Sequence, residues 1–414
     1  MTRPALLSLD EALPQLLAHA LPLPGMQMAS TFDADGRVLA QDVTSSLQVP
    51  PQDNSSMDGY AVRVTDCVQV GALLRVTQRI PAGSHGQPLG PGEAARIFTG
   101  APIPGGADAV VMQEDCEAVE PSQVKVLKPV PIGQWIRRSG EDVTRGAKVL
   151  SVGDRLTPAS LGLAASIGLT QLQVAPRPRV ALFSTGDELV MPGDVAPKDM
   201  PPGAIYNSNR FFLRAMLQRL GCEVTDLGIV PDQREATLAA LRDAASHHDL
   251  ILTSGGVSVG EEDHIKPAVQ ALGTLNLWQL AIKPGKPFAY GQVTRAAHAA
   301  GSCHFMGLPG NPVSSFVTFL LLVRPFVLAL QGVKQTEIAR TELTAHFDWP
   351  RADKRREFLR VRRNTQGGLD LFSNQSSGVL TSAVWGDGVV DNPAGQSIAH
   401  GDTVRYISFA EWLA

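Results

Sequence analysis

The sequence predicts a multidomain α/β plus β protein, in which a doubly wound, mostly parallel α/β domain is joined to β-rich domains. A length of 414 residues exceeds one ordinary hydrophobic core. From residue 178 to 330, apolar strand-like runs alternate with helix-like runs, a pattern typical of parallel strands with crossover helices. Short β-branched runs with many Pro and Gly residues occupy 45–142, and β-like runs without helical patterns occupy 333–414.

The remaining segments predict short elements. The N-terminus predicts an amphipathic helix capped at Ser8 or Asp10, without the ordered basic, apolar and small-residue segments of a signal peptide. After the β-rich region, "EDVTRGAKVLSVGDRLTPASLGLAASIG" predicts a strand pair and a helix that starts near Thr157 and Pro158. Proline suits the first turn of a helix.

Composition excludes several classes of protein. Hydrophobic content of 44% with 18% charged residues indicates a globular chain, and a net charge of −4 argues against nucleic acid as the main partner. Four scattered cysteines without a CxxC pair suit a reducing compartment. Arg324 and Pro325 interrupt the most apolar run, at 316–332, which therefore predicts a buried core helix. We expect a cytoplasmic protein that does not enter a membrane.

The predicted strand ends of the α/β region hold glycine, hydroxyl, acidic and lysine residues. Ligands of open α/β sheets bind outside the carboxyl ends of the strands. The segments there are "STGDEL" (184–189), "GIVPDQ" (228–233), "TSGGVSVGEED" (253–263), "KPGKP" (283–287) and "GLPGNPVSS" (307–315). Each alone could be an ordinary cap or turn. Their occurrence in one sheet predicts a ligand site.

The chemistry of such a site follows from the residue types. Carboxylates suit a hard divalent cation, and lysines neutralise phosphate or another oxyanion. The glycines of "TSGGVSVGEED" lead into acids instead of the lysine of a phosphate-binding P-loop, so a metal ion would stand between this loop and a phosphate. The acids are Asp187, Glu188, Asp232 and Asp263, and the lysines are Lys283 and Lys286.

Three loops of the β-rich region are also unusually polar or proline-stiffened. They are "PPQDNSSMDGYAV" (50–62), "RIFTGAPIPGGADAVVMQED" (96–115) and "RRSGEDV" (137–143). Read by pattern alone, they are ordinary turns of a β domain.

The ordered set of motifs resembles the molybdopterin molybdenumtransferase family, which includes the bacterial MoeA proteins and the E domain of gephyrin. Besides the segments quoted above, the set contains "YNSN", "KPGKPFAYG" and "LPGNPVSSFVTF", and it spans residues 53 to 319. The combination is highly specific, although no single motif is.

The resemblance implies a homodimer of four-domain subunits. The domains would be a discontinuous domain (1–45 and 143–177), a β-rich inserted domain (46–142), an α/β domain similar to molybdopterin adenylyltransferase (178–330) and a C-terminal β-barrel-like domain (331–414). The implied reaction converts adenylyl-molybdopterin and molybdate into molybdenum-molybdopterin cofactor and AMP with the help of Mg²⁺. The preceding adenylyltransferase is the implied pathway partner.

The resemblance also implies roles for individual residues. Catalytic roles fall on Asp58, Thr99, Asp142, Glu188, Asp232 and Asp263, of which Glu188 and Asp263 would hold the metal. Substrate-binding roles fall on Ser184, Thr185, Gly186, Asp187, Ser254, Gly255, Gly256, Ser258, Pro309, Gly310, Asn311 and Pro312. Molybdate-binding roles fall on Lys283, Lys286, Arg356 and Ser382. The first three catalytic residues would complete the cleft of the partner subunit.

Three positions depart from the family pattern. Gln279 stands where a lysine is common, His264 where an aromatic residue is usual, and Asp387 where asparagine is frequent. Two other functions remain open at this point. One is a non-enzymatic scaffold like the receptor-clustering gephyrin branch, and the other is a small-metabolite kinase, which the absence of a GxxxxGK[ST] motif disfavours.

Overall fold

The computed structural model describes residues 6–120, 122–256, 264–295 and 301–413. The chain begins with α1 (Leu9–Leu17), β1 (Gln27–Ser30) and β2 (Val43–Thr44). Of the two expected caps, Ser8 caps α1 and Asp10 lies within the helix. The Ser8 side chain accepts the Glu11 N–H, while the Glu11 carboxylate accepts the Ser8 N–H.

A six-stranded sheet dominates the β-rich region. Its strands lie in the order β7-β4-β6-β5-β9-β8, and all neighbours are antiparallel except β5 and β6. A separate short ladder joins β3 to β10. The strands are β3 (Asn54–Ser55), β4 (Gly59–Val62), β5 (Leu73–Ile80), β6 (Glu93–Ile97), β7 (Ala109–Met112), β8 (Cys116–Glu120), β9 (Gln123–Val126) and β10 (Ile136–Arg137).

The chain then returns to its N-terminal strands. It forms β11 (Lys148–Leu150), α2 (Pro158–Ser166) and β12 (Gln171–Val174). Helix α2 starts at Pro158 as predicted, and Thr157 caps it. β12 pairs with β1 and β11 with β2, so the two separated segments share ladders and one apolar core. Helix α1 instead buries its apolar face in the core of the α/β region. The exact domain boundaries stay a prediction.

The α/β region confirms the predicted doubly wound, mostly parallel sheet. Strand order is β16-β13-β17-β21-β20-β18, in which the first four strands are mutually parallel. Strand β20 is antiparallel to both of its neighbours, β21 and β18. The elements are β13 (Arg179–Ser184), β14 (Leu189–Val190), β15 (Ile205–Tyr206), α3 (Asn209–Arg219), β16 (Glu223–Ile229), α4 (Arg234–His247), β17 (Leu250–Ser254), α5 (Ile265–Leu272), β18 (Gly273–Gln279), β19 (Ile282–Lys283), β20 (Pro287–Thr294), β21 (Ser302–Leu308), α6 (Pro312–Thr318), a π-helical turn (Phe319–Val323) and α7 (Arg324–Leu330).

The long apolar helix from α6 to α7 is a core element. Residues Pro312–Leu330 are long and apolar enough to cross a membrane, but 89% of their most apolar stretch is buried inside the protein. Arg324 is itself buried, and its guanidinium donates from Nε to the Trp412 carbonyl at 2.7 Å and from Nη1 to the Thr336 carbonyl at 3.0 Å. Burial lowers the pKa of Arg324 to about 10. This arginine therefore ties the core helix to the C-terminus.

The C-terminal region is a small closed β-barrel. Strands follow one another in the order β23-β24-β22-β26-β25, and β25 pairs again with β23. Strand β19 of the α/β region joins the barrel by parallel pairing with β23. The expectation that helices cease here was wrong, because two short helices cover barrel strands. The elements are β22 (Thr341–Ala345), β23 (Arg356–Arg363), β24 (Gly368–Leu371), α8 (Thr381–Trp385), β25 (Gly388–Asn392), β26 (Thr403–Ser408) and α9 (Phe409–Leu413).

Replacing Arg324 tests its role as a tie. We expect Arg324→Met to lower stability by about 2 kcal/mol, since two charge-assisted hydrogen bonds are lost while the cost of burying a charge disappears. Hydrogen–deuterium exchange should accelerate first in the peptide 403–413. Arg214→Met, at an exposed position of α3, is the matched control. Unchanged exchange in that peptide would contradict the assignment.

Candidate active site

A cavity of about 810 Å³ lies at the carboxyl ends of the parallel strands. Loops that follow β13, β17 and β21 form much of its wall, together with the start of α3. Many residues singled out in the sequence line it: Thr185, Gly186, Glu188, Asp232, Ser254, Gly255, Gly256, Pro309, Gly310, Asn311 and Pro312. The sheet therefore brings four of the five predicted strand-end segments to one cavity. The fifth segment, 283–287, contributes Pro287 to the lining.

Backbone packing explains the glycines of the loop after β17. Gly255 and Gly256 have φ angles of 93° and 69°, which side chains other than glycine rarely adopt. A Cβ on Gly255 would lie 2.8 Å from the Thr185 carbonyl oxygen, and one on Gly256 would lie 2.6 Å from Ile265. The loop after β17 therefore packs closely against the backbone of the loop after β13 at the cavity wall.

Among the described residues, two carboxylates line the cavity. Glu188 is exposed after β13, and Asp232 is half-buried just before α4. Within the described parts of the chain, no group of three His, Cys, Asp or Glu residues could hold a metal ion. Mg²⁺ needs only one or two protein carboxylates when phosphates and waters complete its shell, so this oxygen donor set fits that ion. The other predicted metal ligand, Asp263, and the predicted binding residue Ser258 lie outside the described residues.

Segment 184–189 contains two further predicted residues, Ser184 and Asp187, and neither belongs to the cavity lining. Ser184 is the last residue of β13 and is buried with 1% of its surface exposed. Asp187 is exposed between Gly186 and Glu188 and is not part of the cavity lining.

Sequence reasoning missed two asparagines in the wall. Asn209 is buried, and its Nδ2 donates to Ser254 Oγ and to the Gly310 carbonyl, both at 2.7 Å. It thereby links the loops after β17 and β21. Asn207 is also buried and lines the cavity. The signal in the sequence is the "YNSN" motif at 206–209, which by itself assigns no role to either asparagine.

The predicted lysines differ in their surroundings. Lys283 Nζ contacts Glu357 at 3.0 Å and Asp353 at 3.2 Å. Burial alone would lower the pKa of Lys283, but its hydrogen bonds with those two carboxylates raise it. Arg355, which sequence reasoning missed, donates two 3.0 Å hydrogen bonds to the same Asp353. Lys286 is exposed.

Arg356 and Ser382 are engaged elsewhere. Arg356 donates two 2.6 Å hydrogen bonds to Asp391, which is almost fully buried, and one of 3.0 Å to Asp10. Ser382 is fully buried, where its hydroxyl donates to the Val379 carbonyl and accepts from Arg360 Nε. Both residues thus hold the barrel together in this structure, and their role in molybdate binding stays a prediction.

The three polar loops of the β-rich region converge. The backbone N–H of Gly100 donates to the Ser55 carbonyl, which joins the first two loops, and Arg138 forms a 2.6 Å ion pair with Asp53, which joins the third. Asp58 and Thr99 are in direct contact: the backbone N–H and hydroxyl of Thr99 donate to Asp58 Oδ1 at 2.8 and 2.9 Å. Asp142 is exposed in the third loop.

These contacts favour the ionised form of Asp58. The backbone N–H of Thr99, followed by its hydroxyl, lowers the pKa of the Asp58 carboxyl, and nearby Arg96 acts in the same direction. Asp58 is therefore ionised at neutral pH, and it presents a fixed acceptor at an exposed site.

Thr99→Val tests this pair. The valine retains the backbone N–H but removes the hydroxyl, so the pKa of Asp58 should rise part of the way to its ordinary value. Carboxyl ¹³C titration by NMR measures that shift. Thr77→Val, the same replacement at an exposed position of β5, should leave the pKa of Asp58 unchanged. Equal titration curves for both variants would rule out the hydroxyl contribution.

Comparison with known proteins shows family matches along most of the chain. Residues 7–168 match the MoeA N-terminal region (domain I and II), residues 181–329 match the probable molybdopterin binding domain, and residues 342–409 match the MoeA C-terminal region (domain IV).

Individual relatives agree with these matches. A molybdopterin molybdenumtransferase from Haemophilus influenzae is 44% identical over 332 residues, covering 80% of this chain and 79% of the relative. One from Synechococcus elongatus is 35% identical and covers 94% and 96%. The crystal structure of a molybdopterin biosynthesis moeA protein from Pyrococcus horikoshii OT3 superimposes with a TM-score of 0.83 at 27% identity, covering 98% of this chain and all of that one. The chain belongs to the molybdopterin molybdenumtransferase family.

Proposed function

We propose that this chain inserts molybdenum during molybdenum cofactor biosynthesis, converting adenylyl-molybdopterin and molybdate into molybdenum-molybdopterin cofactor and AMP. The observation that supports this most is the strand-end cavity. Its lining combines closely packed glycine loops with Glu188 and Asp232 in a chain whose relatives are named molybdopterin molybdenumtransferase. No contact among the described residues favours the scaffold or the kinase that the sequence left open.

The cavity residues have complementary tasks in this reaction. Backbone groups at Thr185, Gly186 and Gly255 allow the phosphate-linked part of the substrate to approach the chain closely. Glu188 and Asp232 would hold Mg²⁺, together with Asp263 according to the sequence. The ion, when bound, neutralises phosphate charge during cleavage of the phosphoanhydride bond. Asn209 keeps the walls after β17 and β21 at a constant separation.

We assign molybdate to a cluster of three cations, which are Lys283 and Lys286 of the "KPGKP" loop and the neighbouring Arg355. Molybdate is a tetrahedral dianion, so it requires cations whose positions are fixed. Lys283 is held by its carboxylate neighbours, Lys286 is exposed beside it in the loop, and Arg355 shares Asp353 with Lys283. The substrate dithiolene would receive molybdenum where this cluster meets the cavity wall at Pro287.

We further propose a homodimer in which each β-rich region completes the partner's cavity. Several apolar side chains of the N-terminal segment are exposed, including Phe32 at 93%, Leu21 at 74% and Met26 at 61%. Apolar patches of this kind favour subunit contact. The lining of the cavity comes from residues 185–378, so Asp58, Thr99 and Asp142 would have to arrive from the partner.

A cytoplasmic location and a pathway partner belong to the same proposal. All four cysteines, Cys67, Cys116, Cys222 and Cys303, are free thiols, which suits a reducing compartment. The substrate is the product of an adenylyl transfer to molybdopterin, so the enzyme that supplies it is a molybdopterin adenylyltransferase.

Molybdate-dependent AMP release tests the proposed reaction. Protein supplied with adenylyl-molybdopterin, Mg²⁺ and molybdate should release AMP, and release should fall when molybdate is omitted or Mg²⁺ is chelated. Glu188→Gln should lower the rate at least about tenfold because it weakens the metal site. Glu235→Gln, an exposed glutamate on α4, is the matched control. AMP release that does not depend on molybdate would refute the reaction.

Mixed dimers test whether the site spans two subunits. Asp58→Ala and Glu188→Ala should each be inactive alone. After co-refolding, half of the dimers carry one variant of each kind, and one of their two sites is intact, so roughly a quarter of wild-type activity should return. If both residues act within one chain, the mixture stays inactive.

A further inference from the structure

An unpartnered amide at the start of α3 faces the cavity. Asn207 exposes only 2% of its surface and belongs to the cavity lining. Among the described residues, its Nδ2 has no hydrogen-bond acceptor. A buried amide nitrogen normally has a partner, because leaving it unpaired sacrifices the hydrogen bonds that it would make to water.

The orientation of this amide follows from its other contacts. The backbone N–H of Arg210 donates to Asn207 Oδ1 at 3.3 Å, and only the oxygen of an amide can accept that bond. The backbone N–H of Asn207 donates to the Val190 carbonyl at 2.9 Å. Arg210 is fixed in turn by two 2.6 Å contacts with Asp226. With its oxygen occupied and its backbone held, Asn207 has Nδ2 left to donate.

The surroundings indicate which kind of ligand atom would accept. Asn207 and Ser208 immediately precede α3, an eleven-residue helix whose N-terminus favours negative charge. Ser208 and Asn209 line the same cavity. A phosphate oxygen satisfies both features, since it is an anionic acceptor that suits a helix N-terminus and an unpaired N–H donor alike.

We propose that Asn207 Nδ2 binds a phosphate oxygen of the nucleotide in the cavity, and that this contact selects a phosphorylated nucleotide over the nucleoside. The inference rests on the proposed function, which supplies the nucleotide. It makes Asn207 a specificity-determining residue that directly contacts the ligand. Asn209 differs from it, because both of its donor contacts are made within the protein.

Two variants of Asn207 distinguish loss of the Nδ2 hydrogen-bond donor from disruption of the fold. Asn207→Asp is nearly isosteric and retains an oxygen for the Arg210 N–H, but it replaces the donor by an anion. Asn207→Ala removes the donor without adding charge. Asn374→Asp is the matched control, since Asn374 is exposed, its Oδ1 accepts the Ser376 N–H in the same way, and it lies outside the cavity lining.

Calorimetry with AMP and adenosine in the presence of Mg²⁺ tests the inference. We expect AMP to bind both Asn207 variants roughly tenfold or more weakly than wild type, while adenosine affinity changes little and Asn374→Asp behaves as wild type. AMP affinities of both Asn207 variants within about threefold of wild type would overturn the assignment. A parallel loss of adenosine binding would overturn the phosphate contact. Absence of AMP binding to the wild type would instead refute the proposed function, and the inference with it.

Discussion

In-register hydrogen bonding between parallel strands is the constraint on which the cavity depends. Ser184 of β13 pairs with Ile229 of β16 and with Ser254 of β17, which pairs in turn with Leu308 of β21. Four strands therefore end side by side, and the next residue of each chain segment leaves the sheet at one edge. Glycines tolerate the crowding of the emerging loops, and Asn209 joins two of them. Backbone pairing between the strands consequently determines where the cavity-lining residues lie.

A second constraint connects this edge to the C-terminal barrel. The two-residue strand β19 leads into the "KPGKP" loop and pairs with β23, so the barrel is joined to a segment that continues to the cavity wall. The Val313 N–H at the start of α6 donates to the Ser377 carbonyl, and the adjacent Gly378 lines the cavity. Arg324 adds a third link from the core helix to the C-terminus. The barrel is thus part of the cavity wall.

Periodicity and turn chemistry were sufficient to predict the strands and helices of the α/β region, the start of α2 near Thr157 and Pro158, and the glycine-rich loops at the strand ends, because each of these features depends on neighbours in sequence. The parallel sheet followed from the alternation of strands and helices. The short helices α8 and α9 were not predicted, since five residues are too few for a periodic signal. Asn207 was not assigned a role because its importance arises from an amide left unpaired by tertiary packing. The convergence of Asp58 with Thr99 depends on pairing between strands distant in sequence.

The ion pairs of Arg356, Lys283 and Arg355 show why the sequence predicted the electrostatics of the site less well than its backbone. Arg356 finds Asp391 and Asp10, residues 35 and 346 positions away, and no local pattern announces either contact. Lys283 and Arg355 face Asp353 and Glu357, so these four side chains carry no net charge. Under the proposed function, with glutamine at position 279, attraction of the dianion to this cluster would come mainly from the exposed Lys286 and from rearrangement of the ion pairs. Binding of the proposed dianion at this cluster would therefore be an exchange of partners, in which the dianion replaces carboxylates that hold Lys283 and Arg355 in this structure.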